Sequence, residues 1–226
     1  MQQLRSRPAP RRDYPPPASR SSTSSPSSSA SLLDQLKLAG KTLGIMLAVL
    51  WGLEIVDELL LFGMTDLLGV HPRSLFGLVG IAFAPLLHAD LYHLLSNTAG
   101  LLMFGTVILL WSRREFWAVT AAAWIVGGLG TWLVGANGVH LGFSGVVFGY
   151  LGYLLMRGWY ERKPASVILS IVFAVGFGSM LTGAIPGLAG CGISWEGHLF
   201  GLLGGVLVAR RFKATPKPSL AEMARR

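Results

Sequence analysis

The sequence predicts an all-α polytopic membrane protein, a bundle of six transmembrane helices with the N- and C-termini cytoplasmic. Three observations predict it. Of 226 residues, 52% are hydrophobic and only 13% charged, about half the roughly 25% of soluble domains, and the mean hydropathy is +0.54. The apolar residues gather into six stretches parted by short polar joints. The basic residues sit in alternate joints: of the 19 Lys and Arg, all but Arg73 fall before the first stretch, after the second, after the fourth or after the sixth. By the positive-inside rule those joints and both ends face the cytoplasm.

Residues 1–31 form a Pro/Ser/Arg-rich segment with too little apolar surface to offset chain entropy, and are expected to be a disordered cytoplasmic tail. Their prolines disfavour the amphipathic helix of an organelle transit peptide, and no apolar segment follows closely enough for a cleaved signal peptide. The six-helix transmembrane domain is assigned to residues 32–212. Its stretches run over Leu43 to Phe62, Tyr92 to Trp111, Trp117 to Val134, Ser144 to Met156, Ala165 to Leu181 and Gly197 to Ala209. Residues 213–226 are a basic cytoplasmic tail. A 30 Å hydrocarbon core takes about 20 helical residues, so the fourth and sixth stretches read as short.

The net charge of +8 then reports orientation, with the lipid bilayer as partner and no nucleic acid. A single cysteine, Cys191, excludes a disulfide framework and a Cys-rich metal site. No cofactor and no metal are expected. His88, Asp90 and His93 lack an HEXXH pattern and a third ligand, which argues against a metalloprotease.

Polar side chains in an apolar region need a reason. Three clusters lie on the outer side: His88, Asp90, His93, Ser96 and Asn97 leading into the second stretch, Gly142 to Gly145 opening the fourth, and Glu196 to His198 opening the sixth. If Arg157 and Arg210 mark the inner interface, Ser144 lies about 20 Å and His198 about 18 Å above it. Serine and imidazole then share a level about 10 Å below the outer face, each at the start of a helix that begins within the membrane. Irregular backbone at that depth is allowed where it lines a cavity. An imidazole beside a serine can take its proton and return it to a leaving amine. Phe148, one turn after Ser144, can wall the imidazole, and the spacing of Gly201 and Gly205 permits two helices to approach closely.

These residues carry a resemblance. The ordered set HADLYHLLSN (His88, His93, Asn97), GFSG (Gly142 to Gly145) and GHLFGLLGG (His198, Gly201, Gly205) resembles the rhomboid intramembrane serine proteases over the six-stretch body, about Leu43 to Phe212. The resemblance implies a serine endopeptidase that hydrolyses peptide bonds in or near transmembrane segments of single-span membrane proteins through a Ser-His dyad. Ser144 would be the nucleophile and His198 the general base. His93, Asn97 and the Ser144 backbone N–H would form the oxyanion site. His88 would tie the first outer loop to the second span, with Gly142, Gly145, Phe148, Gly201 and Gly205 supporting. Phe148 stands where a tyrosine is common. Entry between spans two and five, under a cap formed by residues 182–195, is also implied. One departure is visible: the first outer loop, Met64 to Phe83, lacks the Trp-Arg pair of many rhomboids, and its Arg73 follows Pro72.

Other readings compete. A non-catalytic rhomboid-like chaperone or adaptor is opposed by the presence of both dyad residues. A transporter is opposed by the lack of an inverted repeat. His140, four residues before Ser144, rivals His198 as base. Glu54, Asp57 and Glu58 read as a solvated rim. The Gly/Ala/Arg-rich composition points to a bacterial plasma membrane.

Overall fold

The computed structural model describes residues 28–190 and 192–212. The tail expectations for residues 1–27 and 213–226, and Cys191, lie outside the described residues.

Among the described residues the protein is all-helical: α1 (Ser28–Val56), α2 (Leu75–Phe83), α3 (Leu91–Gly100), α4 (Thr106–Trp111), α5 (Arg113–Val134), α6 (Ser144–Glu161), α7 (Pro164–Phe177) and α8 (Trp195–Arg211). A π turn, Leu101–Gly105, joins α3 and α4 into one helix, and a 3-10 segment, Gly178–Ala184, extends α7. Among the described residues three helices are long and apolar enough to cross a membrane, Leu91–Trp111, Arg113–Val134 and Pro164–Ala184. The first helix begins at Ser28, inside the segment expected to be disordered. Its start carries Leu32, Leu33 and Leu36, which supply a helical apolar pattern ahead of the long apolar run.

α6 is the axis of the bundle. Every residue from Val146 to Leu154 is buried, with α5, α7 and α8 packed around it. A helix surrounded by protein does not need a lipid-compatible surface, which is why α6 carries glycines and tyrosines and is still a bundle helix. α7 is the opposite case. Val175 is 84% exposed, and Ile168, Ile171 and Val172 are exposed with it, giving a broad apolar face.

Glycine sets the closest approach. A Cβ at Gly201 of α8 would lie 2.0 Å from the Gly145 carbonyl oxygen of α6, and one at Gly205 only 1.8 Å from that of Gly149. Only backbone against backbone fits there, and this contact brings the starts of α6 and α8 together.

Two charged groups depart from the sequence reading. Arg157, taken as an anchor at the inner interface, is buried, and α6 runs past it to Glu161. Its guanidinium pairs with Glu115 of α5 and with Glu161, 2.9 Å from Nε, and lies 4.3 Å from the centre of the Trp111 ring. Tyr153 donates its hydroxyl to the same Glu115. A charge neutralised inside the bundle does not end a helix, so α6 is 18 residues long rather than 13. At the opposite end, Glu54 and Asp57 are buried rather than forming a solvated rim, Asp57 Oδ1 accepting the Thr65 N–H at 3.1 Å. Glu58 alone of the three is exposed.

Candidate active site

The start of α6 and the first turn of α8 face each other. The Ser144 Oγ lies 2.8 Å from His198 Nε2. His198 Nδ1 lies 2.9 Å from the Gly183 carbonyl oxygen. A carbonyl only accepts, so Nδ1 carries the proton and Nε2 is left to accept from the serine hydroxyl. The Phe148 ring stacks on the imidazole at 4.0 Å between centroids and 9° between planes. His198 is thus held from behind by a backbone carbonyl and on one face by an aromatic ring. It is buried, while Ser144 is half-buried.

Ser144 is the first residue of α6, so its backbone N–H has no intrahelical acceptor. Gly142, two residues earlier, adopts φ +112°, and a Cβ there would meet the His93 ring at 2.4 Å. The turn before Ser144 therefore requires glycine both for its backbone and for the imidazole beside it. Asp90 caps α3 by accepting the His93 N–H at 2.8 Å. One turn further on, Asn97 is buried and its Nδ2 has no partner among the described residues. A buried unpaired amide donor is costly and marks a place where an acceptor belongs.

His88 sits behind this arrangement. Its Nε2 accepts the Phe143 N–H at 3.4 Å, and its ring meets that of His93 edge-on at 5.2 Å. It thus ties the outer loop to the residue before Ser144 as well as to α3. Burial pushes its imidazole down to about 3, so it stands neutral and able to accept. A cavity of about 50 Å³ opens behind Ser144 between Pro85, Trp124, Thr131, His140 and Ser194. It has room for more than the one water that about 10–15 Å³ would hold.

His140 does not reach Ser144 as a hydrogen-bond partner. Its Nε2 donates to the Ala136 carbonyl at 2.9 Å and its Nδ1 lies 2.8 Å from Ser194 Oγ. Its backbone pairs with Val70 of the outer loop.

That loop is fastened in a way the sequence did not reveal. Trp124 and Trp132 of α5 donate their indole N–H groups to the Ile81 and Ser74 carbonyls, each at 2.8 Å. Arg73 donates to the Gly135 carbonyl at 2.7 Å and to Asn137 Oδ1 at 2.9 Å. Tryptophans of the helix beneath it, and none of its own, hold this loop. The short α2 was also missed, although Ser74 is an N-cap that accepts the Gly77 N–H at 2.9 Å.

A family model described as Rhomboid domain matches residues 76–214, which include every one of the residues just described except Val70, Arg73 and Ser74. The chain belongs to the rhomboid family. It is a membrane protein with an all-helical rhomboid domain. Similar proteins include the uncharacterized protein Rv1337 of Mycobacterium tuberculosis, 39% identical over 191 residues that cover 81% of this chain and 79% of the relative. The uncharacterized protein ML1171 of Mycobacterium leprae is 38% identical over 192 residues, covering 81% of this chain and 75% of its own.

Proposed function

We propose that this rhomboid is an active intramembrane serine endopeptidase that hydrolyses peptide bonds in or near the transmembrane segments of single-span membrane proteins. The observation that carries the reading is the 2.8 Å contact between Ser144 Oγ and an imidazole nitrogen whose partner nitrogen is committed to a carbonyl. Six spans with both ends in the cytoplasm, in a bacterial plasma membrane, fit the alternation of the basic joints.

In this reading a substrate segment enters from the lipid between the α3–α4 helix and α7, beneath the 182–195 loop, and unwinds, since a helical peptide bond is shielded by its own hydrogen bonds. Weak helix formers at the site favour that step. As Ser144 attacks, His198 Nε2 takes its proton, and the Nδ1–H bond to Gly183 keeps the imidazolium oriented. The carbonyl oxygen becomes an oxyanion, met by the Ser144 N–H, by the unpaired Asn97 Nδ2 and by His93. His198 then protonates the leaving amine. Water held in the cavity behind Ser144 attacks the acyl-enzyme, with His198 again as base.

The test uses the full chain in liposomes with a synthetic single-span peptide whose outer half is rich in Gly and Ala and which carries a donor and a quencher. Cleavage and fluorophosphonate labelling are expected for the wild type, and both are lost in Ser144→Ala. His198→Ala loses cleavage. Equal labelling of Ser144→Ala removes Ser144 as nucleophile, and full turnover by His198→Ala removes His198 as base.

A further inference from the structure

The dyad has no carboxylate of its own: His198 Nδ1 points at a backbone carbonyl, so nothing in contact with the ring offsets the charge that forms on it. Two residues before His198, in the first turn of α8, Glu196 is 2% exposed. Its Oε1 accepts the Ala136 N–H at 2.9 Å, and its Oε2 stands 3.4 Å from Ser194 Oγ. Ser194 is the N-cap of α8, accepting the Gly197 N–H at 3.3 Å, and its hydroxyl faces His140 Nδ1 at 2.8 Å. A buried carboxylate with one good donor is an expensive group. Its contacts join the turn that carries His198 to the end of α5 and, through His140 and Val70, to the outer loop.

We propose that Glu196 is the positioning residue of this site, a buried carboxylate that locks the His198-bearing turn onto α5 and places a fixed negative charge behind an imidazole that becomes cationic. The assignment rests on the peptidase reading above. Among the other described carboxylates, Glu115 and Glu161 pair with Arg157, Asp57 accepts the Thr65 N–H and Asp90 caps α3, while Glu54, Glu58 and Asp66 belong to the far end of α1 and the start of the outer loop. A plain helix brace needs only an acceptor for the Ala136 N–H, which an amide side chain also provides. The charge is what distinguishes the two roles.

Three variants in the liposome assay separate them. Glu196→Gln keeps the acceptor and loses the charge. It is expected to hold the thermal midpoint and KM while lowering kcat about tenfold or more, the mark of an interaction made in the transition state. Glu196→Asp restores most of the lost kcat. Glu196→Ala loses both acceptor and charge, and exchanges the Ala136 amide hydrogen faster than the wild type. Wild-type kcat in Glu196→Gln overturns the assignment, as does a kcat loss that tracks a fall in thermal midpoint and is not rescued by Asp. If the wild type cleaves no faster than Ser144→Ala, the peptidase reading falls and takes this assignment with it. Turnover that Ser144→Ala abolishes and Glu196→Gln leaves intact removes Glu196 alone.

Discussion

Replacing Gly201 with alanine adds one methyl group at the closest point between α6 and α8. Its carbon would sit 2.0 Å from the Gly145 oxygen and 2.7 Å from the carbonyl carbon, whereas ordinary contact begins near 3.4 Å. Both obstacles are backbone, so no rotamer relieves them. α8 has to retreat by about 1.4 Å, and overpacking of this kind costs about 1–3 kcal/mol. The retreat acts one turn from His198. If half of it is passed on, the Ser144–His198 contact opens from 2.8 Å to about 3.5 Å, the limit of a useful hydrogen bond. Proton transfer by a placed base is worth about 10²–10⁴ in rate. Gly201→Ala is therefore expected to lose at least about tenfold in fluorophosphonate labelling and peptide cleavage, alongside a lower thermal midpoint. Gly176→Ala on α7 makes the same chemical change where nothing lies within 4 Å, and should match the wild type in all three measurements. Wild-type labelling by Gly201→Ala, or an equal loss in Gly176→Ala, would refute the reasoning.

Further expectations are independent of that contact. Phe148→Ala removes the ring stacked on His198 and should lower kcat with little change in KM, while Phe148→Tyr should keep it; steady-state kinetics decides. If Asn97 serves the proposed oxyanion site, Asn97→Ala should cost about 10²–10³ in kcat; an unchanged kcat would assign Asn97 to packing alone. Glu115→Ala leaves the buried Arg157 with Glu161 as its remaining counter-charge and the Tyr153 hydroxyl without its acceptor, and should destabilise the fold by about 1–3 kcal/mol, seen as a drop in the thermal midpoint. His88 has a folded value near 3 against 6.5 unfolded, so between those pH values the unfolded chain binds more protons and stability falls as pH falls. The difference in thermal midpoint between wild type and His88→Gln should shift across that window, and a constant difference would count against the buried neutral imidazole.

The sequence made the serine and the main histidine stand out because strongly polar groups are rare in apolar text; the level shared by Ser144 and His198 was counted in part from Arg157, which is buried rather than interfacial. Gly201 and Gly205 were legible because their spacing has meaning only on a helix. What stayed hidden depended on partners distant along the chain. Arg157 looked like an interfacial anchor because one of its two counter-charges, Glu115, lies 42 residues earlier, and the local one, Glu161, equally fits a solvated helix end. Glu196 stood out as part of the outer cluster but carried no role, because its donor is the backbone N–H of Ala136, 60 residues away, and no side-chain pattern records a backbone donor. Glu54 and Asp57 looked solvated because acids at a helix end usually are. α2 was overlooked because nine residues within a loop are too few for periodicity to show.

The pairing of Arg157 with Glu115 also bears on how the chain is built into its membrane. Glu115 emerges from the ribosome first, near the beginning of α5, and Arg157 follows near the end of α6. α5 is apolar enough to cross a membrane, but its Glu115 and the Arg157 of α6 neutralise each other only when the two helices lie side by side. A buried charge pair of this kind favours insertion of the two helices together over insertion of either one with its charge unpaired.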